Sequence, residues 1–149
     1  MNANISYREA AAQGASPVRL VICLYEQAIE DLHRALVALH HKDIGERTRS
    51  VNHAITVIGY LQSTLNMEHG GAVAKNLEHF YNVIRARLID AQCMQSAAIV
   101  EQQISLLMQV HEAWLEVERA SSAASAEDKG QTMAPLATPP STAFTDWSA

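Results

Sequence analysis

The chain has 149 residues, 48% of them hydrophobic, and a formal net charge of −5 at pH 7, which suits one compact domain with its own core. Its 11 lysines and arginines are scattered, so no basic stripe exists to neutralise a nucleic-acid backbone, and nucleic acid is excluded as an expected partner. No run approaches about 18 apolar residues and the N-terminus lacks a basic stretch followed by an apolar one, so we expect a cytosolic protein without membrane insertion.

The first half of the chain predicts two helices. Ser16 followed by Pro17 is a helix start, because the hydroxyl accepts an amide hydrogen bond and proline suits the first turn. The first helix should cover about residues 17–41, and the second should begin near Asp43, an N-cap candidate. Apolar residues at three- and four-residue steps mark one side of each helix. They are Leu20, Leu24, Ala28, Leu32, Ala35 and Leu39 in the first and Val51, Ala54, Ile55, Ile58, Leu61 and Leu65 in the second.

Gly70 and Gly71 separate the second helix from a third. Both are expected to supply the permissive backbone of an abrupt reversal, where a side chain would be strained at positive φ. The third helix fades near Ala91, and Ser96 is the expected cap of a fourth that stops near Ala120. Their apolar positions are Val73, Leu77, Phe80, Ile84 and Leu88 in the third and Ile99, Leu106, Val110, Ala113 and Val117 in the fourth.

Four helices with short connections pack best as an antiparallel bundle with their apolar sides inward. The predicted fold is therefore all-α: an antiparallel four-helix bundle at residues 16–120, preceded by a short N-terminal segment at residues 1–15. Serine, alanine, threonine and three of the four prolines dominate after residue 120, so residues 121–149 are predicted to be a disordered tail. Phe144 and Trp147 are unusual in such a segment. They either form a short docking motif for a partner or have no specific role.

No catalytic or cofactor site is predicted. A di-iron bundle needs Glu-x-x-His on two helices plus two further glutamates, whereas Glu30 with His33 is the single copy. Neither a Gly-rich phosphate loop nor a nucleophile elbow is present. Cys23 and Cys93 have no close partner in the sequence and are expected to be small core residues. We therefore expect no enzyme, no metal and no cofactor.

The second and fourth helices carry more apolar surface than one inward side can bury. In the second, the core direction and an adjoining stripe together cover an arc of roughly 240°, against about 100° or somewhat more for an ordinary surface helix. In the fourth, a stripe lies nearly opposite the predicted core direction. The stripes consist of Val57, Tyr60, Thr64 and Met67 on the second helix and Ile104, Met108 and Leu115 on the fourth.

Several arrangements would cover these stripes. Imprecise packing within the fold, the N-terminal segment at residues 1–15, a second copy of the bundle, or an amphipathic segment of another protein would each suffice. The pattern by itself leaves them open and indicates a helical bundle with an interaction surface.

Three stretches carry a family resemblance: "ASPVRLVICLYEQAIEDL" at residues 15–32, "AITVIGYLQSTLNMEHGGAVAKNLEHFYNVIRARLIDA" at 54–91 and "ISLLMQVHEAW" at 104–114. The strongest features are Ser16-Pro17 entering Leu24-Tyr25, the Leu65-x-x-Glu68-x-Gly70-Gly71 turn leading to Asn76-Leu77 and Tyr81, and the closing Ala113-Trp114. In order and spacing, over about residues 15–118, they resemble the flagellar secretion chaperone FliS family. Asn66 stands where the family pattern usually has Asp, which predicts a weaker cap at the turn.

The resemblance implies a non-enzymatic chaperone that binds the disordered C-terminal region of newly made flagellin in the cytosol. Binding would prevent premature polymerisation and keep flagellin competent for flagellar type III secretion, with the export gate as a further candidate partner. The alternative is a structural bundle whose apolar stripe forms a homodimer. From the arc pattern, and not from the resemblance, we predict partner contacts and a removable cap. The contacts are Val57, Tyr60, Thr64, Ile104, Met108 and Leu115, and the cap contains Tyr7.

Overall fold

The computed structural model describes residues 12–127, with side chains through residue 124. Its helices are α1 (Pro17–His40), α2 (Ile44–Ser63), α3 (Gly71–Met94) and α4 (Ala97–Glu127). No strand occurs within residues 12–127, and no helix in that range is long and apolar enough to cross a membrane. The predicted all-α fold is confirmed.

Three helices begin where the sequence predicts, each at a polar side chain that accepts an otherwise unpaired backbone N–H. The Ser16 hydroxyl accepts from the N–H of Arg19 at 3.2 Å. The Asp43 carboxylate accepts from the backbone N–H of Glu46 at 3.1 Å. The Ser96 hydroxyl accepts from Ile99 at 3.2 Å. These caps confirm the predicted starts of α1, α2 and α4.

Each helix packs against two neighbours. α1 and α3 both contact α2 and α4, and the α1–α2 interface is the most extensive. The diagonal pairs of the bundle are therefore α1 with α3 and α2 with α4. At its centre the Tyr25 and Tyr81 hydroxyls share a buried hydrogen bond of 2.7 Å, so each satisfies a polar group that would otherwise be costly to bury. Burial raises the pKa of both phenols.

The two glycines of the α2–α3 turn serve different purposes. Gly71 has φ +57°, as expected for a residue that must adopt the left-handed conformation. Gly70 has φ −79°, so positive φ is the wrong explanation there. A Cβ on Gly70 would lie 2.5 Å from the Cβ of Ala74 and 2.5 Å from the carbonyl oxygen of Asn66. Gly70 is thus required for close approach, and Gly71 for backbone conformation.

Asn66 caps the same turn through its side chain. Its Oδ1 accepts from the backbone N–H of His69 at 3.0 Å. The carboxamide oxygen of Asn66 therefore satisfies one backbone donor of the turn.

Two expectations from the sequence are wrong. α4 does not stop near Ala120 but continues to Glu127. Apolar periodicity ends at residue 120, yet the alanines that follow favour the helical backbone without it. Cys23 is buried as expected, whereas Cys93 is exposed, because it lies in the last turn of α3 on a side with no neighbouring helix. Tyr7, Phe144 and Trp147 lie outside the described residues.

Candidate functional site

The inward side of α4 centres on Leu107. Four other buried residues extend this side at three- and four-residue steps: Val100, Gln103, Val110 and Trp114. Leu106 and Val117, which the sequence pattern placed inward, are half-buried at the margin of the core. The pattern was wrong here because apolar residues occupy both 106 and 107, and spacing does not rank them. The predicted stripe therefore flanks the inward side and does not oppose it.

One edge of α4 borders α1. His111 and Glu118 define this edge. The Nε2 atom of His111 lies 3.0 Å from a carboxylate oxygen of Glu26, and Arg19 donates to both carboxylate oxygens of Glu118, its Nε at 2.8 Å. Residues 108 and 115 lie three or four positions from 111 or 118, and residue 104 lies seven positions, about two turns, before 111, so all three follow the same edge. We call Ile104, Met108 and Leu115 the α4 edge.

The three residues of the α4 edge differ in exposure. Ile104 is only 5% exposed and belongs to the core, whereas Met108 is 52% exposed. Leu115 is half-buried against the core. Met108 and part of Leu115 are therefore available to a partner, and Ile104 supports them from beneath.

A corresponding edge of α2 borders the other side of α1. His53 defines it, since its Nδ1 atom lies 2.5 Å from the carboxylate of Asp31. The second oxygen of Asp31 accepts from the Gln27 amide at 2.9 Å. Burial raises the pKa of the Asp31 carboxyl above its ordinary value of 3.8, and the hydrogen bond with His53 opposes that change. A carboxylate held in this way ties α2 closely to α1.

Residues 57, 60 and 64 extend the edge that begins at His53, and we call Val57, Tyr60 and Thr64 the α2 edge. Val57 is 3% exposed and lies in the core, while Tyr60 is 59% exposed. Thr64 is exposed, and its hydroxyl donates to the carbonyl of Leu61 at 2.7 Å. Tyr60 and Thr64 are the accessible members of this edge.

The two edges do not adjoin. α2 and α4 are diagonal in the bundle, and α1 lies between the edges that they present. The structure thus brings the six predicted contact residues to two sides of one helix. Val57 and Ile104 are covered by the protein's own core. Tyr60, Thr64, Met108 and Leu115 form the accessible surface.

The exposed apolar surface of α3 was not predicted from the sequence. Val83 and Ile89 are exposed on this helix, and an open groove of about 430 Å³ separates α3 from α4. The sequence did contain a signal, since Val83 adjoins the buried Ile84 and Ile89 adjoins the buried Leu88. Neighbouring apolar residues on a helix point 100° apart, so one inward side does not bury both equally.

The single Glu-x-x-His pair lies on the outside of α1. Glu30 is paired with Arg34 at 2.6 Å, and the side chain of His33 is exposed. Within the described part of the chain, no three His, Cys, Asp or Glu side chains are grouped so as to hold a metal ion.

Comparisons with known proteins identify the family of this chain. The family model described as flagellar protein FliS matches residues 1–121. The flagellar secretion chaperone FliSB of Pseudomonas aeruginosa is 32% identical over 106 residues, covering 71% of this chain and 84% of the relative. The flagellar secretion chaperone FliS of Salmonella typhimurium is 32% identical over 110 residues, covering 73% and 82%. The resemblance seen in the sequence is confirmed, and the chain belongs to the FliS family of flagellar secretion chaperones.

Proposed function

We propose that this protein is a cytoplasmic export chaperone that binds the disordered C-terminal region of flagellin. Bound flagellin is kept from premature polymerisation and remains competent for flagellar type III secretion, until the complex reaches the flagellar export gate. The observation that carries the proposal is the exposure of Tyr60 and Met108, large apolar side chains on the two edges that flank α1.

Hydrophobic burial supplies the driving force. Each Å² of apolar surface covered by a client is worth about 25 cal/mol, and ordering a disordered segment offsets about 2–5 kcal/mol of the total. An amphipathic client that covers Tyr60 or Met108 therefore gains most when it also covers the half-buried residues beside them. Methionine suits such a site because its flexible thioether adapts to imperfect shapes.

The position of α1 constrains how a client binds. A single straight helix does not reach both edges, since α1 stands between them. We propose that the flagellin segment contacts the α2 edge and the α4 edge with separate apolar stretches joined by a connection that passes α1. Val57 and Ile104 act as the floor of the two contact areas.

Titration calorimetry with a flagellin C-terminal peptide tests this assignment. Tyr60→Asp and Met108→Asp should each weaken binding about fivefold or more, because losing a buried interface anchor costs about 1 kcal/mol or more. Ile89→Asp is the matched control, since Ile89 is equally exposed but lies on α3. Unchanged affinity in the Tyr60→Asp, Met108→Asp double variant would remove both edges from the site.

Sedimentation of the free protein separates this function from the homodimer alternative. We expect a monomer at all concentrations, with the two edges free. A concentration-dependent dimer that Met108→Asp dissociates would instead assign the apolar surface to self-association.

For the N-terminal segment, deletion of residues 1–15 should tighten peptide binding if Tyr7 belongs to a removable cap, because a competing internal occupant lowers apparent affinity.

A further inference from the structure

The groove between α3 and α4 lies on the side of α4 that faces away from α1. Its walls include Val83 of α3 and Leu106 of α4, and Arg87, Gln102, Gln103 and Ser105 complete the lining. Val83 is exposed and Leu106 is half-buried. A volume of about 430 Å³ is within the range of small-ligand pockets, and the apolar walls suit a large aromatic ring.

Gln103, which lines this groove, has a carboxamide oxygen without a hydrogen-bond donor within residues 12–127. The side chain is only 2% exposed, and its Nε2 donates to the carbonyl of Ile99 at 3.2 Å. Among the described residues no donor reaches the buried Oε1 atom. An unmet buried acceptor costs about 1–3 kcal/mol, so a ligand that brings one N–H beside the apolar walls is favoured. Indole combines a large apolar ring with a donor-only N–H.

Arg87 adds a positive charge at the same groove. Its guanidinium donates to Asp90, three residues away on α3, at 3.2 Å, and both side chains are about half exposed. An exposed pair of this kind is worth about 0.2–1 kcal/mol. A carboxylate that arrives beside an indole therefore competes easily for Arg87.

The end of this chain carries all three groups. The last six residues are "FTDWSA", in which Asp146 immediately precedes Trp147. Leu106 lies about 32 Å back along α4 from Glu127, at about 1.5 Å per residue. About 20 residues join Glu127 to Trp147, and a chain of that length reaches at most about 66 Å when it is extended. The terminal tryptophan is thus tethered within reach of the groove.

We propose that the C-terminal Asp146-Trp147 pair docks into the α3–α4 groove of its own chain. The indole ring packs between Val83 and Leu106, the Gln103 carboxamide turns so that its Oε1 accepts from the indole N–H, and the Asp146 carboxylate accepts from Arg87. The tether favours this occupant over one from another molecule, since covalent linkage makes docking intramolecular and raises the effective concentration of the Asp146-Trp147 pair. This inference goes beyond the proposed function and does not depend on it, because the groove is separate from both the α2 edge and the α4 edge.

Nuclear magnetic resonance of the full chain tests the docking. Trp114 and Trp147 are the only two tryptophans, so the spectrum contains two indole N–H signals, and Trp147→Phe assigns them. We expect the Trp147 signal to differ from that of a free peptide of residues 141–149 and to exchange more slowly with solvent. Val83→Glu should return the signal to the peptide position. Ile89→Glu, the same kind of change on the same helix outside the groove, should leave it displaced.

A charge reversal distinguishes loss of docking from a folding defect caused by the Val83 substitution. Arg87→Glu should release Trp147, and adding Asp146→Arg should restore the displaced signal, whereas a structural role for Arg87 predicts no rescue. The proposal is wrong if the wild-type Trp147 signal coincides with that of the free peptide, or if Val83→Glu leaves a displaced signal unchanged. A displacement that disappears on dilution would assign the groove to the tail of a second copy and would overturn docking within one chain.

Discussion

Two nearly identical substitutions test why the α2–α3 turn requires a glycine at position 70 and another at position 71. Gly70→Ala and Gly71→Ala each add one methyl group at adjacent positions. In the structure the first methyl would meet Ala74 and the carbonyl oxygen of Asn66, both at 2.5 Å, while the second has nothing within 4 Å. The two variants therefore separate steric crowding from backbone strain.

The expected cost at Gly71 is small. A left-handed residue with a side chain costs about 1–2 kcal/mol, and replacing glycine recovers about 0.4–1 kcal/mol by restricting the unfolded chain. The net destabilisation of Gly71→Ala should lie between about 0 and 1.6 kcal/mol. Gly71→Asn should be milder still, because asparagine tolerates the left-handed region.

The expected cost at Gly70 is larger. Overpacking costs about 1–3 kcal/mol, and the shift needed to relieve it also disturbs the hydrogen bond from the Gly70 N–H to the Asn66 carbonyl, which spans 2.7 Å. After the same unfolded-state gain, we expect Gly70→Ala to destabilise the protein by about 2–3 kcal/mol. Adding Ala74→Gly should recover part of this loss, because it removes one contact and leaves the carbonyl in place.

Urea unfolding followed by far-UV circular dichroism measures these differences as shifts in the transition midpoint at constant slope. A double-mutant cycle on Gly70→Ala and Ala74→Gly isolates the methyl–methyl term. Crowding at Gly70 is the wrong explanation if Gly71→Ala proves as destabilising as Gly70→Ala, or if the cycle shows no coupling between positions 70 and 74.

Two further predictions concern buried polar groups. Tyr25→Phe and Tyr81→Phe should each destabilise the protein by about 1–3 kcal/mol by leaving one buried hydroxyl without its partner, and the double variant should cost less than the sum of the two in urea unfolding. The Asp31 carboxyl has a raised pKa in the folded state, so the protein binds a proton there more readily than the unfolded chain does. Stability from this group is present below the ordinary pKa of 3.8 and is lost as the pH rises through the higher folded value. The wild type should therefore lose stability relative to Asp31→Asn over that interval, and a constant difference across the acid range would contradict the assignment.

The arrangement of the bundle distributes its surfaces among separate helices. α1 lies between the two edges proposed for flagellin, and the hydrogen-bonded Asp31 ties it to α2 on one side. The groove proposed for the C-terminal tryptophan lies on the opposite side of α4. Variants at Met108 and Val83 should therefore act independently, the first on peptide affinity and the second on the Trp147 signal.

The sequence alone determined the features that depend on neighbouring residues. The caps at Ser16, Asp43 and Ser96 each involve a hydrogen bond across three positions, so residue type and spacing predicted the helix starts and the all-α fold. The family resemblance likewise depended on ordered local motifs. The boundary at residue 120 failed because apolar periodicity depends on packing, while Ala123, Ala124 and Ala126 favour the helical backbone without it.

Only the tertiary structure decided which apolar residues are covered. Leu106 and Leu107 are equally apolar, and Val57 belongs to the core while Tyr60, three positions later, is exposed. Which of them is buried depends on where α1 and α3 lie, and that is set by contacts between residues distant in sequence. For the same reason a helical wheel drawn for each helix did not reveal that α2 and α4 are diagonal, so that α1 separates the two predicted stripes.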